Sequence, residues 1–296
     1  MASQESRAHD IFNNPNIKTI YRAASRTTGP YAKVLVQQSG ISKALSSGNL
    51  QLSVLDQACG TGVVAEALHA ELAAVGTPET NWHLKCTDSS QPMLDAMADL
   101  VKEKGWQNVE TAKSDILNNG LESEAYDYAF QSFVFMALPD SNAALDETIR
   151  IVKPGGTVAI NTWIKVGWMD DVNLTTATQF PDLPQVTSNQ FGRLMGDGEW
   201  DNPSWIENKL RDKNLNNIQV NPVSMTSAMG TPEEVAESSV FPMKLIMDKL
   251  WNDEQREKYS TRFFPAYVDQ MINKYGKDGI VSSDWEAIVV TAQKPL

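Results

Sequence analysis

Residues 54–65, Val54-Leu55-Asp56-Gln57-Ala58-Cys59-Gly60-Thr61-Gly62-Val63-Val64-Ala65, put a carboxylate at the end of an apolar run and four residues ahead of a glycine turn. SVLDQA reads as a buried strand that ends in turn chemistry. GVVAEALHAELAAV, with Val64, Leu68 and Leu72 on one face, reads as the helix after it. The form GxGxxA at Gly60, Gly62 and Ala65 fits a dinucleotide turn, a weak signal on its own. Such a turn takes a diphosphate on the first N–H groups of the helix, where the dipole favours negative charge. Asp56 works against that. A ligand that brings an ammonium to the strand end reverses the argument, because the carboxylate then becomes its partner.

Working outward, short apolar strands alternate with helical stretches from 53 to 163. WHLKCTD, NVETAKSDI, YDYAFQSFVFMAL and GTVAINTW read as the second to fifth strands. SSQPMLDAMADLVKEKG has Ser at its cap, Pro in its first turn and Gly at its close, the punctuation of a helix. Another helix, roughly 141–152, ends at Lys153-Pro154-Gly155-Gly156. Alternation at this spacing predicts right-handed βαβ crossovers and a mostly parallel sheet, with ligands beyond the carboxyl ends of its strands. Later, NIQVNPVSM and DWEAIVVTA read as two further strands, the second buried on both faces. Between them, 231–275 reads as helices broken near Pro242 and Pro265, and residues 1–50 as helices broken at Pro15 and Gly29-Pro30. The expected organisation is an N-terminal helical lid segment over 1–50 and a cofactor-binding core over 51–163. Residues 164–296 then supply lid insertions and the last two strands.

The 296 residues suit one large domain, and 25 Lys plus Arg against 37 Asp plus Glu give a formal charge of −12. That balance argues against nucleic acid or an anionic membrane as partner. The two cysteines, Cys59 and Cys86, have no CxxC spacing, so no metal and no redox pair is expected. The sequence has no signal-peptide pattern and no run of membrane-spanning length, which makes a cytoplasmic location the default expectation. The oligomeric state is not legible.

Acids recur at the strand ends. Asp88 closes WHLKCTD 28 residues beyond Gly60, where a carboxylate accepts ribose hydroxyls, and Ser114-Asp115-Ile116 closes the third strand with an acid and an apolar neighbour suited to adenine. With Asp56 these point to S-adenosylmethionine, whose methionine end carries both an ammonium and a carboxylate. The run LDQACGTG resembles the first motif of class I S-adenosylmethionine-dependent methyltransferases, usually LDxGCGTG. Asp88 matches their ribose acid, Ser114-Asp115 their adenine motif, YDYAFQSFVFMAL their fourth motif and VKPGG their fifth. The resemblance covers roughly residues 50–163 plus the late strand pair. It is similar to the ubiquinone-biosynthesis-like branch, and the Met- and Trp-rich lid resembles fungal secondary-metabolite methyltransferases.

That resemblance implies an α/β, Rossmann-like doubly wound sheet of seven strands, mostly parallel with an antiparallel last strand, under a helical lid. It implies S-adenosyl-L-methionine as cofactor, S-adenosyl-L-homocysteine as product and a small-molecule acceptor. Carried over position by position, the cofactor contacts are Tyr21, Asp56, Ala58, Gly60, Gly62, Asp88, Ser89, Met93, Ser114, Asp115, Ile116, Gln131 and Ser132. Phe133 falls near the transferred methyl, and Trp168, Phe191 and Met195 are candidates for the acceptor pocket. One departure stands out: Ala58 replaces the family's first glycine, and since Ala adopts positive φ only at a cost, a negative φ is expected there.

No catalytic residue is assigned. His69 and His83 fall away from the carboxyl edge, His9 lies in the N-terminal arm, and the lid has no histidine. Asp170, Asp171 and Glu199 are candidate bases, read mainly as solvated charges. A hydroxyl normally wants a base nearby, so this census favours an amine, an amide nitrogen or an already acidic hydroxyl on a largely apolar metabolite, with nitrogen or oxygen ahead of carbon. Two rival readings are an S-adenosylmethionine-binding cyclase without methyl transfer and, against the sense of Asp56, an NAD(P)-dependent oxidoreductase.

Overall fold

The computed structural model describes residues 17–46 and 51–296, with side chains from residue 24 onward. Among them a seven-stranded sheet runs in the order β3-β2-β1-β4-β5-β7-β6. The strands are β1 (Leu52–Gln57), β2 (Trp82–Asp88), β3 (Val109–Lys113), β4 (Tyr126–Ser132), β5 (Val152–Lys165), β6 (Asn216–Gly230) and β7 (Val281–Gln293). The first five pair in parallel, and β7 is antiparallel to both neighbours. The order reverses between β1 and β4, so the crevice beyond their carboxyl ends is the switch point where such sheets bind ligands.

Helices α1 (Ile17–Ser39), α2 (Ile41–Ser46), α3 (Val63–Ala74) and α4 (Gln91–Lys104) cover one face of the sheet. Leu35, Leu68, Leu84, Met97 and Phe130 bury together there. α5 (Ser141–Ile151) and α8 (Pro203–Asp212) cover the other, over Leu55, Leu145, Ile160 and Ile206. A third core stands over the carboxyl ends of β4 and β5. It draws on α6 (Met169–Gln179), α7 (Ser188–Met195), α9 (Pro232–Leu250) and α10 (Asp253–Tyr275), with Tyr31 of α1. The two long helices are each started by a capping box, at Thr231 and Asn252.

The break expected at Pro15 lies outside the described residues, and the other expected proline breaks fall elsewhere. Pro30 lies inside α1, Pro242 inside α9 and Pro265 inside α10, and the break between the last two is at Trp251-Asn252. A mid-helix proline costs about 3 kcal/mol. Each of these is flanked by fully buried side chains whose burial offsets that cost: Tyr31 and Leu35, Met243 and Ile246, Phe263 and Tyr267. The Lys153-Pro154-Gly155-Gly156 stop likewise becomes the start of β5, with a register shift against β4. Pairing with neighbouring strands takes over the backbone groups that local sequence would have left in a loop.

Candidate active site

The glycine turn departs from expectation at its first position. Ala58 has φ +52°, followed by Gly60 at +53° and Gly62 at +94°. The negative φ expected at Ala58 is wrong: the turn needs the left-handed conformation there whatever residue it holds. A backbone tie from Cys59 N–H to Thr87 O at 2.9 Å and another from Gly62 N–H to Cys59 O at 3.0 Å hold that geometry. Gly62 is fixed by packing as well, since a Cβ there would lie 2.6 Å from Met97 Sδ. At Gly60 a Cβ would meet nothing within 4 Å, so open space lies over the turn. α3 starts without a side-chain cap, which leaves its first N–H groups free to face a ligand.

Asp56, the residue before the last in β1, is 1% exposed, and its Oδ2 has no hydrogen-bond partner. Burial, and then the neighbouring Asp88 charge, pushes its carboxyl well above the usual carboxylate range. Asp88, at the end of the adjacent β2, accepts from Gly60 N–H at 3.0 Å and from Ser90 N–H at 2.8 Å. Burial raises its pKa too, and these N–H donors hold the rise back. One N–H of the glycine turn is thus already engaged by Asp88. An orphaned, desolvated carboxylate beside open space over a glycine turn fits a cation and opposes a diphosphate. The residues present therefore fit S-adenosylmethionine.

The remaining expected contacts fall around this pair. Ser89 is exposed directly after Asp88, and Ser90 caps α4 by accepting from the N–H of buried Met93 at 3.4 Å. The end of β3 is tied to β2 by Ser114 N–H donating to Asp88 O at 3.0 Å. Beyond it Asp115 is exposed, its Oδ1 accepting from Leu117 N–H at 2.9 Å, while Ile116 is buried. On β4, fully buried Gln131 donates to Gln57 Oε1 at 2.9 Å and Thr148 donates to the same oxygen at 3.1 Å. Ser132 is half-buried. Phe133 has φ +60°, and its ring stacks on Trp163 at 3.9 Å. The side chain of Tyr21, and all of His9, lie outside the described residues.

On the acceptor side, Phe191 and Met195 line a small cavity with Met136, Trp163 and Trp200. Trp168 sits behind it, edge-on to Phe191 at 5.1 Å. None of the candidate bases stands free. Asp170 pairs with Lys165 at 2.7 Å, and Glu199 accepts from Asn202 at 3.1 Å. Asp171, read from sequence with the solvated charges, is instead buried, held by Lys274 at 2.6 Å and the Tyr275 hydroxyl at 3.0 Å. His69 is buried against Trp106 with Asn108 Oδ1 3.0 Å from its Nε2, and His83 is exposed beside Glu110.

Sequence reading missed an aromatic group beside Phe133. Tyr31 meets Trp163 edge-on at 5.2 Å and donates its hydroxyl hydrogen to Trp285 O at 2.9 Å, and Trp163 leans on Trp285 at 5.0 Å. Tyr31 was hidden behind the Gly29-Pro30 break. Trp163 carried a signal, as the outermost aromatic on the face of β5 that also bears Asn161.

A doubly wound sheet of this order, with carboxylates on adjacent tips and a turn suited to a cation, defines a methyltransferase fold. The chain is an S-adenosylmethionine-dependent methyltransferase that transfers a methyl group to a small molecule. The family described as a methyltransferase domain matches residues 54–156. Over its length the chain is similar to methyltransferase tpcH of Aspergillus fumigatus, 28% identical over 286 residues that cover 96% of this chain and 99% of that one. It is 29% identical to the acetylaranotin bis-thiomethyltransferase of Aspergillus terreus over 296 residues, 100% of both chains. Among solved structures, the YcgJ protein of Bacillus shares the fold at a TM-score of 0.52 and 14% identity, covering 86% of this chain and 97% of that one. No helix among the described residues is long and apolar enough to cross a membrane.

Proposed function

We propose that the enzyme methylates a nitrogen or oxygen atom of a small, largely apolar metabolite of the secondary-metabolism type, by in-line displacement driven mainly by positioning. The carrying observation is the buried, unpartnered Asp56 oxygen beside the glycine turn, one strand from Asp88. In this reading Asp56 balances the ammonium of the cofactor, and the free N–H groups that follow Gly62 at the start of α3, with Gly60 allowing close approach, take its carboxylate. Asp88, with Ser89, accepts the ribose hydroxyls, and Asp115 and Ile116 form the adenine pocket beside Met93 and Ser114. Tyr21, Ala58, Gln131 and Ser132 complete the methionine end. The bound cofactor supplies an electrophilic methyl on a sulfonium. The chain aligns the nucleophile and excludes water, which is worth roughly 7–11 kcal/mol of barrier.

Phe133, Trp168, Phe191 and Met195 form the acceptor side in this reading, and the N-terminal segment with 164–205 and 231–280 acts as a lid over the core of 51–163. The aromatic and Met-rich lining supports an apolar acceptor. The engaged state of Asp170, Asp171 and Glu199 supports an acceptor that needs no protein base. A sulfur acceptor is the second reading, favoured by the similarity to a bis-thiomethyltransferase and by the ease with which thiols ionise. Calorimetry with S-adenosylmethionine, and transfer of a labelled methyl group into small molecules of a cell extract, test both halves. Binding with transfer to an N–H or O–H compound supports the proposal. Absence of binding, or labelling of thiols alone, removes it.

A further inference from the structure

Asn161, in the second half of β5 and paired with Ser132 at the end of β4, is left unused by the site described so far. Its side chain is fully buried and its Oδ1 has no partner. Its Nδ2 has one long bond, donated to Ser132 Oγ at 3.4 Å. A buried carboxamide oxygen without a donor costs folding energy, so the position calls for a ligand or a structural reason.

The sheet register says which ligand. Asp56 pairs with Phe130 and Phe130 with Ala159, so Asp56 and Asn161 point to the same face, Asn161 one residue pair nearer the carboxyl edge. Two orphaned oxygens thus flank the tip of β4, where Ser132 and Phe133 lie. The Asp56 oxygen suits a cation. The Asn161 oxygen is neutral and suits an N–H or O–H. Two residues further along β5 on that face, Trp163 stacks on Phe133 with Tyr31 edge-on to both, at 5.2 and 6.0 Å. Asn161 therefore lies on the aromatic side of the β4 tip, away from the ribose acid.

We propose that Asn161 Oδ1 accepts the hydrogen of the acceptor's nucleophilic N–H or O–H and so turns its lone pair toward the methyl group. The inference rests on the methyl-transfer reading above and deepens it. The nucleophile's lone pair forms the new bond to carbon, the carbon–sulfur bond pair stays on sulfur, and the proton released by the nucleophile passes to water. A carboxamide cannot take that proton, so Asn161 positions the acceptor and does not act as a base.

The test uses three probes of one shape, 2-naphthol, 2-naphthylamine and 2-naphthalenethiol, at about pH 8.5, where a thiol is substantially ionised and carries no hydrogen for Asn161. With Asn161→Leu, methylation of the naphthol and the naphthylamine is expected to fall about 10- to 30-fold, with the thiol changed less than about threefold. Calorimetric affinity for S-adenosylmethionine is expected to stay within about threefold of the parent enzyme. A purely structural Asn161 would lower all three probes alike. Equal losses across the probes, no loss with the naphthol, or a parent enzyme that methylates none of the three or only the thiol would each overturn the proposal. Should Asn161→Leu fail to fold, Asn161→Ala is read by the same criteria. Loss of cofactor binding by the parent enzyme instead removes the reading beneath it.

Discussion

Asp56 carries a desolvation cost that either a proton or a bound cation relieves. Its raised pKa means that the folded protein, without cofactor, holds a proton there that the unfolded chain has already released. Stability from this group is therefore present at low pH and is lost as pH rises from the ordinary carboxylate value toward the folded one. Asp56→Asn removes the penalty. We expect it to raise the melting temperature of the cofactor-free protein at neutral pH, the gain shrinking as pH falls toward 4, while weakening S-adenosylmethionine binding at least tenfold by calorimetry. A variant that melts lower at every pH would contradict this account. Ala58 pays a different cost, since an L-residue in the left-handed region gives up roughly 1–2 kcal/mol. Ala58→Gly recovers that strain and loses roughly 0.4–1 kcal/mol of unfolded-chain advantage. The expected outcome is a gain of about 0.5–1 kcal/mol by urea unfolding.

At the scale of elements, α6 is pinned to α10 by the Asp171 carboxylate, which reaches both Lys274 and Tyr275. The two ends of this tie are unequal, because Asp171 is buried while the Lys274 side chain is 42% exposed. Asp171→Asn leaves a lysine that water can solvate and should cost about 1 kcal/mol. Lys274→Met leaves a buried carboxylate with only a hydroxyl and should cost about 3 kcal/mol. Urea unfolding of the two variants checks the order, and a reversed order would show that the carboxylate is not desolvated in solution. The same asymmetry explains what the sequence could and could not reveal. Asp56, Gly60, Asp88 and the β–α alternation were legible because strand ends and turns are written in neighbouring residues. Asp171 was not, because its burial is decided by Lys274 and Tyr275, about 100 positions away. The helical prolines were misread for a related reason: local propensity counts the lost N–H, whereas the buried neighbours that hold Pro30 in α1 are set by packing on the sheet. Ala58 shows the converse, a backbone demand stronger than the preference of the residue that meets it.

For the molecule as a whole, α1 joins the sheet to the helices above the strand tips, packing on α3, on β5 to β7 and on α9. Arg26 of α1 forms a two-pronged pair with Glu234 of α9, at 3.0 and 3.1 Å, and also donates to Met229 O. That pair is about half exposed and contributes at most about 1 kcal/mol. Cofactor binding should therefore add more stability than that pair does. A ligand that binds only the folded state adds about 2.7 kcal/mol at 100 times its Kd, and for a chain of this length that corresponds to a rise of roughly 4 °C in melting temperature. S-adenosylhomocysteine lacks the sulfonium but keeps the ammonium and ribose, so it should produce such a rise at saturation, and NADH none. At a pH between the ordinary carboxylate value and the raised one of the folded protein, Asp56 loses a proton to meet an ammonium, so binding there should release protons, and calorimetric enthalpies should change with the ionisation enthalpy of the buffer. A rise with NADH, or a binding enthalpy independent of buffer, would mean that the charge at the β1 tip is not what selects the ligand.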